Sequence, residues 1–315
     1  MTGTRKYPLF HPQFWPAWLG LGLLWLIIHL PESSQLAIGR NLGRLLYLCG
    51  GKLKKITLTN LRLCFPGQTP EERLMLARRN FSALGIGLIE AARAFWLPSE
   101  KLLASCTLHG FEHIPPAFAK GKGILLVSPH FTCLEIVGRL LALQHNFSVM
   151  FRPHKKPVLA FIHERFRNRH YPESIPSHRI RRLIEALKNN RAVWYAYDID
   201  GGKKNSVFAP FFGIEAASLT SVSRLAHMSG AAVVPVHFYR QDKGFRYDVF
   251  LGPSLTHFPS DSLIKDATRL NALMEKAIRQ KPEQYIWQYQ RFKTRPNGQP
   301  RLYSQTAGPA NDGIY

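Results

Sequence analysis

Two side chains suited to act as a base and its partner, His130 and Glu135, lie five residues apart in a segment made otherwise mostly of apolar residues. An imidazole takes a proton near neutral pH, and a carboxylate bonded to one ring nitrogen fixes the tautomer and leaves the other nitrogen free to accept. Such a pair activates a hydroxyl group. The spacing therefore indicates a general base, His130, oriented by Glu135. A surface pair without chemistry is the alternative, because 13 histidines make chance proximity easy.

The corner that carries this pair is predicted to join a buried strand to a helix. Residues 123–127 are small and branched apolar residues, and Pro129 ends the run. The apolar residues from Leu134 onward follow helical spacing, which places His130 near the helix start. Residues five apart on a helix point about 140° apart, so His130 must lie outside the helix to reach Glu135. The carboxyl ends of strands are where ligands bind in open α/β sheets, which favours catalysis.

Polar residues also end two further predicted strands. Arg152 follows the strand at residues 147–151, and its guanidinium suits a phosphate or carboxylate, although a surface arginine is equally compatible with the pattern. Asp198 and Asp200 follow the strand at residues 192–197. Two carboxylates without a nearby histidine make a weak metal site, so a structural or substrate-orienting role is favoured for Asp200.

No cofactor is expected from the sequence. The Gly201-Gly202 pair lacks the remainder of a dinucleotide or phosphate-loop signature. The four cysteines are far apart, which predicts reduced thiols in a cytosolic setting. Cys133 lies within the catalytic corner, but its apolar neighbours favour a buried structural thiol over a nucleophile.

The charge balance predicts a polyanionic partner. The 315 residues contain 42 Lys and Arg against 20 Asp and Glu, a formal net charge of +22. A nucleic acid, an anionic membrane face and an acidic protein or phosphorylated substrate all fit this charge. The basic residues are scattered in short groups without a zinc-finger spacing, a basic zipper or an RNP-like motif, which disfavours nucleic acid.

An apolar segment near the amino terminus predicts a membrane anchor. Residues 14–30 carry no formal charge, and the length of this segment is at the lower limit for crossing a bilayer. Trp15 and Trp18 resemble interfacial anchors. The larger cluster of basic residues follows this segment, which favours a cytoplasmic main domain. A helix lying flat in the membrane interface is the alternative.

The remaining pattern predicts an α/β fold with a mostly parallel or mixed sheet flanked by helices. Residues 1–31 are assigned to the anchor, 32–107 to a helical region packed on the core, 108–303 to the α/β domain and 304–315 to a flexible tail. Strands are expected at residues 123–127, 147–151, 192–197, 232–238 and 247–251. The apolar residues 207–213 are expected to form a loop that either faces lipid or a partner or packs into the core.

Taken together, these motifs resemble the late acyltransferases of lipid A biosynthesis, the lauroyl and palmitoleoyl branch in particular. The resemblance covers roughly residues 10–303 and includes the His130 to Glu135 corner, which is shared with glycerolipid acyltransferases. More specific matches are Asn60-Leu-Arg-Leu-Cys-Phe-Pro66, Phe151-Arg152-Pro153, Pro282-Glu-Gln-Tyr-Ile-Trp287 and Arg291-Phe-Lys-Thr-Arg-Pro296. The Asp198 to Gly202 segment departs from the family pattern, which leaves the acyl chain length and acceptor details open.

The resemblance implies a glycerolipid-acyltransferase-like fold and transfer of a fatty acyl group from acyl carrier protein to the hydroxyl of a hydroxyacyl chain on Kdo-bearing lipid IVA. It implies that His130 is the general base, that Glu135 orients it, and that Arg152 and Arg167 hold phosphate or sugar. It also implies residence at the bacterial inner membrane, with the catalytic domain on the cytoplasmic face. Two alternatives are an acyltransferase acting on glycerol phosphates or lysophospholipids, and a basic membrane or nucleic-acid binder without catalysis.

Overall fold

The fold is built on one central mixed sheet. It is described by a computed structural model over residues 9–303. The strands of these residues are β1 (Cys106–His109), β2 (Ile124–Ser128), β3 (Phe147–Phe151), β4 (Ser174–Pro176), β5 (Ala192–Ala196), β6 (Ser206–Phe211), β7 (Ile214–Leu219), β8 (Ala232–Arg240) and β9 (Tyr247–Leu251). Seven of them form the sheet in the order β1-β9-β8-β2-β5-β3-β4.

The direction of the strands places one set of carboxyl ends at a common edge. Strands β8, β2, β5, β3 and β4 run parallel, whereas β9 is antiparallel to β8 and β1 is parallel to β9. The predicted α/β class with a mostly parallel or mixed sheet is confirmed. All five predicted strands are present, while β1 and β4, of four and three residues, are too short to show a hydrophobic period in the sequence.

The apolar segment at residues 207–213, expected as a loop, is instead part of a β-hairpin, so that prediction is wrong. Strands β6 and β7 pair antiparallel, with Phe211 opposite Ile214. The two turn residues, Phe212 and Gly213, both have positive φ, 51° and 76°, as a type I′ turn requires. The usual sequence signal for this turn is Asn-Gly. Here Phe212 stands in the position of the Asn, so the sequence does not indicate the turn. The Phe212 backbone N–H donates to Glu275 Oε1 at 2.7 Å, which helps hold the strained residue.

Helices cover both the amino-terminal third and the sheet. The α-helices of the described residues are α1 (Trp15–Ile27), α2 (Glu32–Cys49), α3 (Gly51–Cys64), α4 (Pro70–Trp96), α5 (Ser99–Leu103), α6 (Ile114–Phe118), α7 (Leu134–Gln144), α8 (Pro157–His170), α9 (Ile180–Lys188), α10 (Gly202–Asn205), α11 (Ser221–Ser229) and α12 (Leu263–Gln280). Helix α4 begins with a capping box, in which Thr69 Oγ1 accepts from Glu72 N at 3.2 Å and Glu72 Oε2 accepts from Thr69 N at 2.7 Å. The capping box thus fixes the start of α4 at Thr69.

Helices α2 and α4 pack with their backbones in direct contact. A Cβ atom placed on Gly43 would lie 2.1 Å from the Phe81 carbonyl oxygen, and one on Gly85 would lie 2.2 Å from the Gly39 carbonyl oxygen. Only glycine permits this approach. The long helix α4 also packs on α7, which follows the His130 corner. The amino-terminal helices thus contact the element that carries the candidate site.

The apolar amino-terminal segment forms a helix shorter than predicted. Helix α1 has 13 residues, about 20 Å of helix, whereas a bilayer core is about 30 Å thick. Within residues 9–303 no helix has both the length and the apolar character needed to cross a membrane. The spanning helix predicted for residues 14–30 is therefore not found. Residues 1–8 and the tail predicted at 304–315 lie outside the described residues.

Candidate active site

His130 is held by Asp198, which reaches it from the neighbouring strand. Strands β2 and β5 are paired with Ser128 opposite Ala196, so the residues two positions further along each chain, His130 and Asp198, also face each other. The His130 backbone N–H donates to Asp198 Oδ2 at 2.9 Å, and the His130 Nδ1 atom donates to Asp198 Oδ1. An ionised carboxylate only accepts hydrogen bonds, so Nδ1 carries the proton and neutral His130 keeps a lone pair on Nε2.

The carboxylate bonded to His130 Nδ1 is therefore that of Asp198. The prediction that Glu135 accepts this hydrogen bond is wrong. Glu135 lies in the first turn of α7, half-buried, where the helix start favours a negative charge. It is close enough to act on both His130 and Arg167 by charge. A catalytic role for Glu135 thus depends on its charge.

Burial and two carboxylates set the pKa of His130. Burial disfavours the charged imidazolium, but the charge and hydrogen bond of Asp198, together with the charge of Glu135, outweigh this and raise the pKa of His130 above its ordinary value. Burial also opposes ionisation of Asp198, yet His130 keeps the pKa of that carboxyl below its ordinary value. The side chain of Asp198 is 0% exposed and that of His130 is 15% exposed, so the imidazole is the member of the pair that faces outward.

Arg167 is a buried neighbour of Glu135. Its guanidinium lies over the Phe151 ring, 3.7 Å from the centroid. Burial lowers the pKa of Arg167, and the charge of Glu135 opposes that shift. Burial likewise raises the pKa of Glu135 against the charges of Arg167 and His130. The structure thus brings Arg167 into the site as a charge partner of Glu135, while its predicted contact with phosphate or sugar stays a prediction.

Arg152 lies at the same edge of the sheet, as predicted, and its side chain is exposed. It is close enough to the Tyr289 hydroxyl to affect the pKa of that group, which burial raises. The Tyr289 ring in turn meets the His130 ring edge-on, with centroids 5.4 Å apart. Tyr289 is a site residue that the sequence analysis missed, because no local pattern connects it with a corner more than 150 residues earlier.

The segment that carries Tyr289 is fixed against the His130 corner by its backbone. Ile286 N donates to the His130 carbonyl at 3.1 Å, and Thr132 N donates to the Gln284 carbonyl at 2.8 Å. Two buried asparagines of α3 and α4 secure the other side: Asn60 donates to the Trp287 and Tyr289 carbonyls, and Asn80 donates to the Glu283 and Tyr285 carbonyls. The helical layer therefore holds one wall of the site.

Asp200 is engaged within the protein. Its Oδ1 accepts from Gly202 N at 2.9 Å and its Oδ2 from Thr294 N at 2.7 Å. Nearby Arg291 is buried and donates to the Ala217 carbonyl at 2.8 Å and to Ser218 Oγ at 2.9 Å. Of the two roles considered for Asp200, the geometry favours the structural one, in which it anchors the Arg291-Phe-Lys-Thr-Arg-Pro296 segment beside the site.

Metal and thiol chemistry find no support at this site. Within the described part of the chain, no group of three or more His, Cys, Asp or Glu side chains is placed to hold a metal ion. Cys133 is fully buried, and burial raises the pKa of its thiol far above the ordinary value. The Cys133 thiol is therefore neutral.

The chain is similar over most of its length to bacterial acyltransferases. The family model for bacterial lipid A biosynthesis acyltransferases matches residues 4–294. The lipid A biosynthesis lauroyltransferase of Escherichia coli (strain K12) is 37% identical over 306 residues, covering 96% of this chain and 100% of that protein. The lipid A biosynthesis palmitoleoyltransferase of the same organism is 34% identical over 294 residues, covering 93% and 96%. The range matched by the family model includes the site from His130 to Thr294.

A solved structure, that of the 1-acyl-sn-glycerophosphate acyltransferase PlsC from Thermotoga maritima, aligns with 78% of this chain and 99% of its own. The sequence identity is 13% and the TM-score is 0.37, a level at which the likeness carries no conclusion about chemistry.

Proposed function

Because this chain belongs to the family of bacterial lipid A biosynthesis acyltransferases, we propose that it transfers a fatty acyl group from acyl carrier protein to the hydroxyl of a hydroxyacyl chain on Kdo-bearing lipid IVA. The product is an acyloxyacyl ester of lipid A. The observation that supports this reaction best is the His130 imidazole, whose Nδ1 is bonded to buried Asp198 and whose Nε2 is thereby left as a base at the carboxyl edge of the sheet.

In the proposed reaction, His130 Nε2 takes the proton of the acceptor hydroxyl as its oxygen attacks the thioester carbonyl carbon. The new carbon–oxygen bond forms a tetrahedral intermediate, which collapses with cleavage of the carbon–sulfur bond. The proton held on Nε2 then passes to the leaving thiolate. A thioester is already activated, so a positioned base suffices for the transfer. Asp198 fixes the reactive tautomer throughout and stabilises the imidazolium that forms between the two steps.

The two predicted site arginines, Arg152 and Arg167, differ in their exposure to solvent. Arg152 is exposed at the same edge and is free to contact a phosphate or a sugar acid of the acceptor. Arg167 is buried against Phe151, where it holds Glu135 by charge, and contact with the acceptor is a secondary role. The excess of cations over anions suits an acidic carrier protein and a phosphorylated glycolipid, since complementary charge speeds their encounter.

Helix α1 supports residence at the membrane. Its outward side chains include Trp15, Leu19, Leu23 and Leu26, which are 59–74% exposed. A helix that leaves aromatic and aliphatic side chains outside the protein is suited to lie in the interface of a bilayer. We therefore place the protein at the cytoplasmic face of the inner membrane, with α1 in the lipid interface.

The choice of acceptor is tested by competition between two lipids. Purified protein is given acyl carrier protein that carries a labelled fatty acyl group, together with both Kdo-bearing lipid IVA and a glycerol-phosphate acceptor. The products are resolved by mass spectrometry. We expect a single acyl addition to the lipid IVA derivative and, because the acceptor site must accommodate a sugar headgroup, roughly a hundredfold less transfer to the glycerol phosphate. Preferred acylation of the glycerol phosphate would replace the proposal with the glycerolipid alternative.

Replacing Glu135 by alanine is expected to lower turnover about tenfold to a hundredfold without unfolding the protein, because the charge that raises the pKa of His130 and pairs with Arg167 is removed. The acid limb of the pH–rate profile should move to lower pH. The exposed Glu71→Ala, in the first turn of α4, is the charge-matched control and should change turnover less than about twofold. Near-normal turnover and an unmoved acid limb in Glu135→Ala would remove Glu135 from the mechanism.

A further inference from the structure

A second concave site lies away from the His130 corner. A cavity of about 740 Å³ opens between α2, α4 and the end of β8. Its volume is within the range of sites for small molecules. Five arginines line it. Arg240 of β8 is buried and paired with Glu90 at 3.0 Å. The other four are exposed, Arg40 and Arg44 on α2 and Arg78 and Arg79 on α4. The cleft therefore gathers positive charge from two helices at one opening.

These four exposed cations have no ionic partner among the residues that the structure describes. Within residues 9–303 none of the four makes a salt bridge. Of the two acids that line the cleft, Asp242 is paired with Lys281 at 2.7 Å, which leaves Glu283 to oppose four guanidinium groups. A concave surface with this imbalance focuses a positive potential on its interior and attracts an anion.

Part of the floor of the cleft is apolar, beside the buried Arg240 and Gln284. Leu36, Tyr47, Ala83 and Ile86 line it and are buried, so apolar surface lies directly beneath the arginines. Leu48 extends this lining outward and is 76% exposed. An apolar wall that continues to the surface under a cationic rim matches a ligand with an anionic head and a hydrocarbon chain.

The cleft is separate from the catalytic centre. Gln284 lines the cleft, whereas Ile286, two residues on, is the residue that donates to the His130 carbonyl. Between them Tyr285 is bridged to Phe131, and both rings are buried. None of His130, Asp198, Glu135, Arg152 or Arg167 lines the cleft. A ligand held in the cleft therefore contacts none of the side chains proposed to carry the acyl transfer.

We propose that this cleft binds the phosphate headgroup of an anionic phospholipid from the membrane, with one acyl chain along Leu48. Guanidinium forks match phosphate oxygens, and each cation near an anionic lipid surface strengthens binding. The concave shape favours a lipid over an acidic protein, whose helices present convex surfaces. The binding goes beyond the proposed acyl transfer and does not require it, since the two sites share no side chain. A bound lipid would orient the helical layer on the bilayer.

The test is native mass spectrometry of the full chain in a neutral detergent, with equimolar phosphatidylglycerol and phosphatidylcholine of identical acyl chains. We expect one phosphatidylglycerol retained per protein, roughly tenfold over phosphatidylcholine. The double variants Arg40→Gln with Arg44→Gln, and Arg78→Gln with Arg79→Gln, should each lower that retention roughly tenfold. Lys120→Gln with Lys122→Gln, which removes the same charge from an exposed loop, should retain the lipid as the unmodified chain does.

Equal retention of the two lipids, or undiminished phosphatidylglycerol binding in both arginine variants, would overturn the proposal. An acyl carrier protein adduct that the arginine variants abolish, while lipid retention persists, would reassign the surface to an acidic protein. In a second sample that also contains equimolar Kdo-bearing lipid IVA, retention of that lipid in place of phosphatidylglycerol would reassign the cleft to the acceptor. The variant His130→Ala is expected to keep the phosphatidylglycerol adduct, so failure of the acyl-transfer proposal is read separately from failure of this one.

Discussion

Replacing His130 by alanine is expected to lower acyl transfer by about 10²–10⁴-fold, the contribution that a positioned general base makes to a proton transfer. The imidazole is the outward member of the pair with Asp198, and the variant leaves the thioester and the acceptor bound but removes the atom that takes the hydroxyl proton. The rate is followed as release of the carrier-protein thiol with the lipid acceptor at saturation.

Two controls make this result specific to the base. His178→Ala removes an exposed imidazole of the same domain and should leave the rate within about twofold of the unmodified chain. Vesicle association and the circular dichroism spectrum of His130→Ala should match those of the unmodified protein. If His130→Ala keeps more than about a tenth of the rate, another group takes the proton and the mechanism is wrong. A basic binding protein without catalysis would show no transfer in the unmodified chain either.

The second large effect is expected at Asp198. Asparagine in its place keeps the shape but removes the charge that fixes the His130 tautomer, and we expect turnover to fall by about 10²–10⁴-fold. The direction in which the acid limb of the pH–rate profile moves follows from the protonation state of His130. Neutral His130 is the base, so activity falls as the pH drops through its pKa. Asp198 raises that pKa, so Asp198→Asn should move the acid limb of the residual activity to lower pH.

The neighbouring Asp200→Asn is the matched control for this variant. Asp200 accepts only from backbone amides of Gly202 and Thr294, and it does not contact the imidazole. We expect it to lower stability while the acid limb stays in place. An acid limb that moves equally in both variants would show that the shift reports general charge loss. A limb that moves only in Glu135→Ala would return the orienting role to Glu135.

The sequence alone was sufficient to place His130, the strand it follows and the edge of the sheet at which it lies. It did so because a buried strand and an amphipathic helix are local patterns, and His130 stands at the point where one period changes to the other. Arg152 was placed at the same edge for the same reason, since it ends β3. The motifs also indicated the acyltransferase family, which the similarities confirm.

What the sequence could not determine was which acid contacts the base. Glu135 is near in the chain and acts on both His130 and Arg167 by charge. Asp198 lies 68 residues away, and it faces His130 through the register of β2 and β5. Strand order and register arise from packing of the whole sheet, and no local pattern encodes them. The position of Tyr289 also depends on long-range contacts, because its segment is held by an asparagine of the amino-terminal helices. Local periodicity thus determined the elements and the position of His130, and long-range pairing decided which side chains contact it.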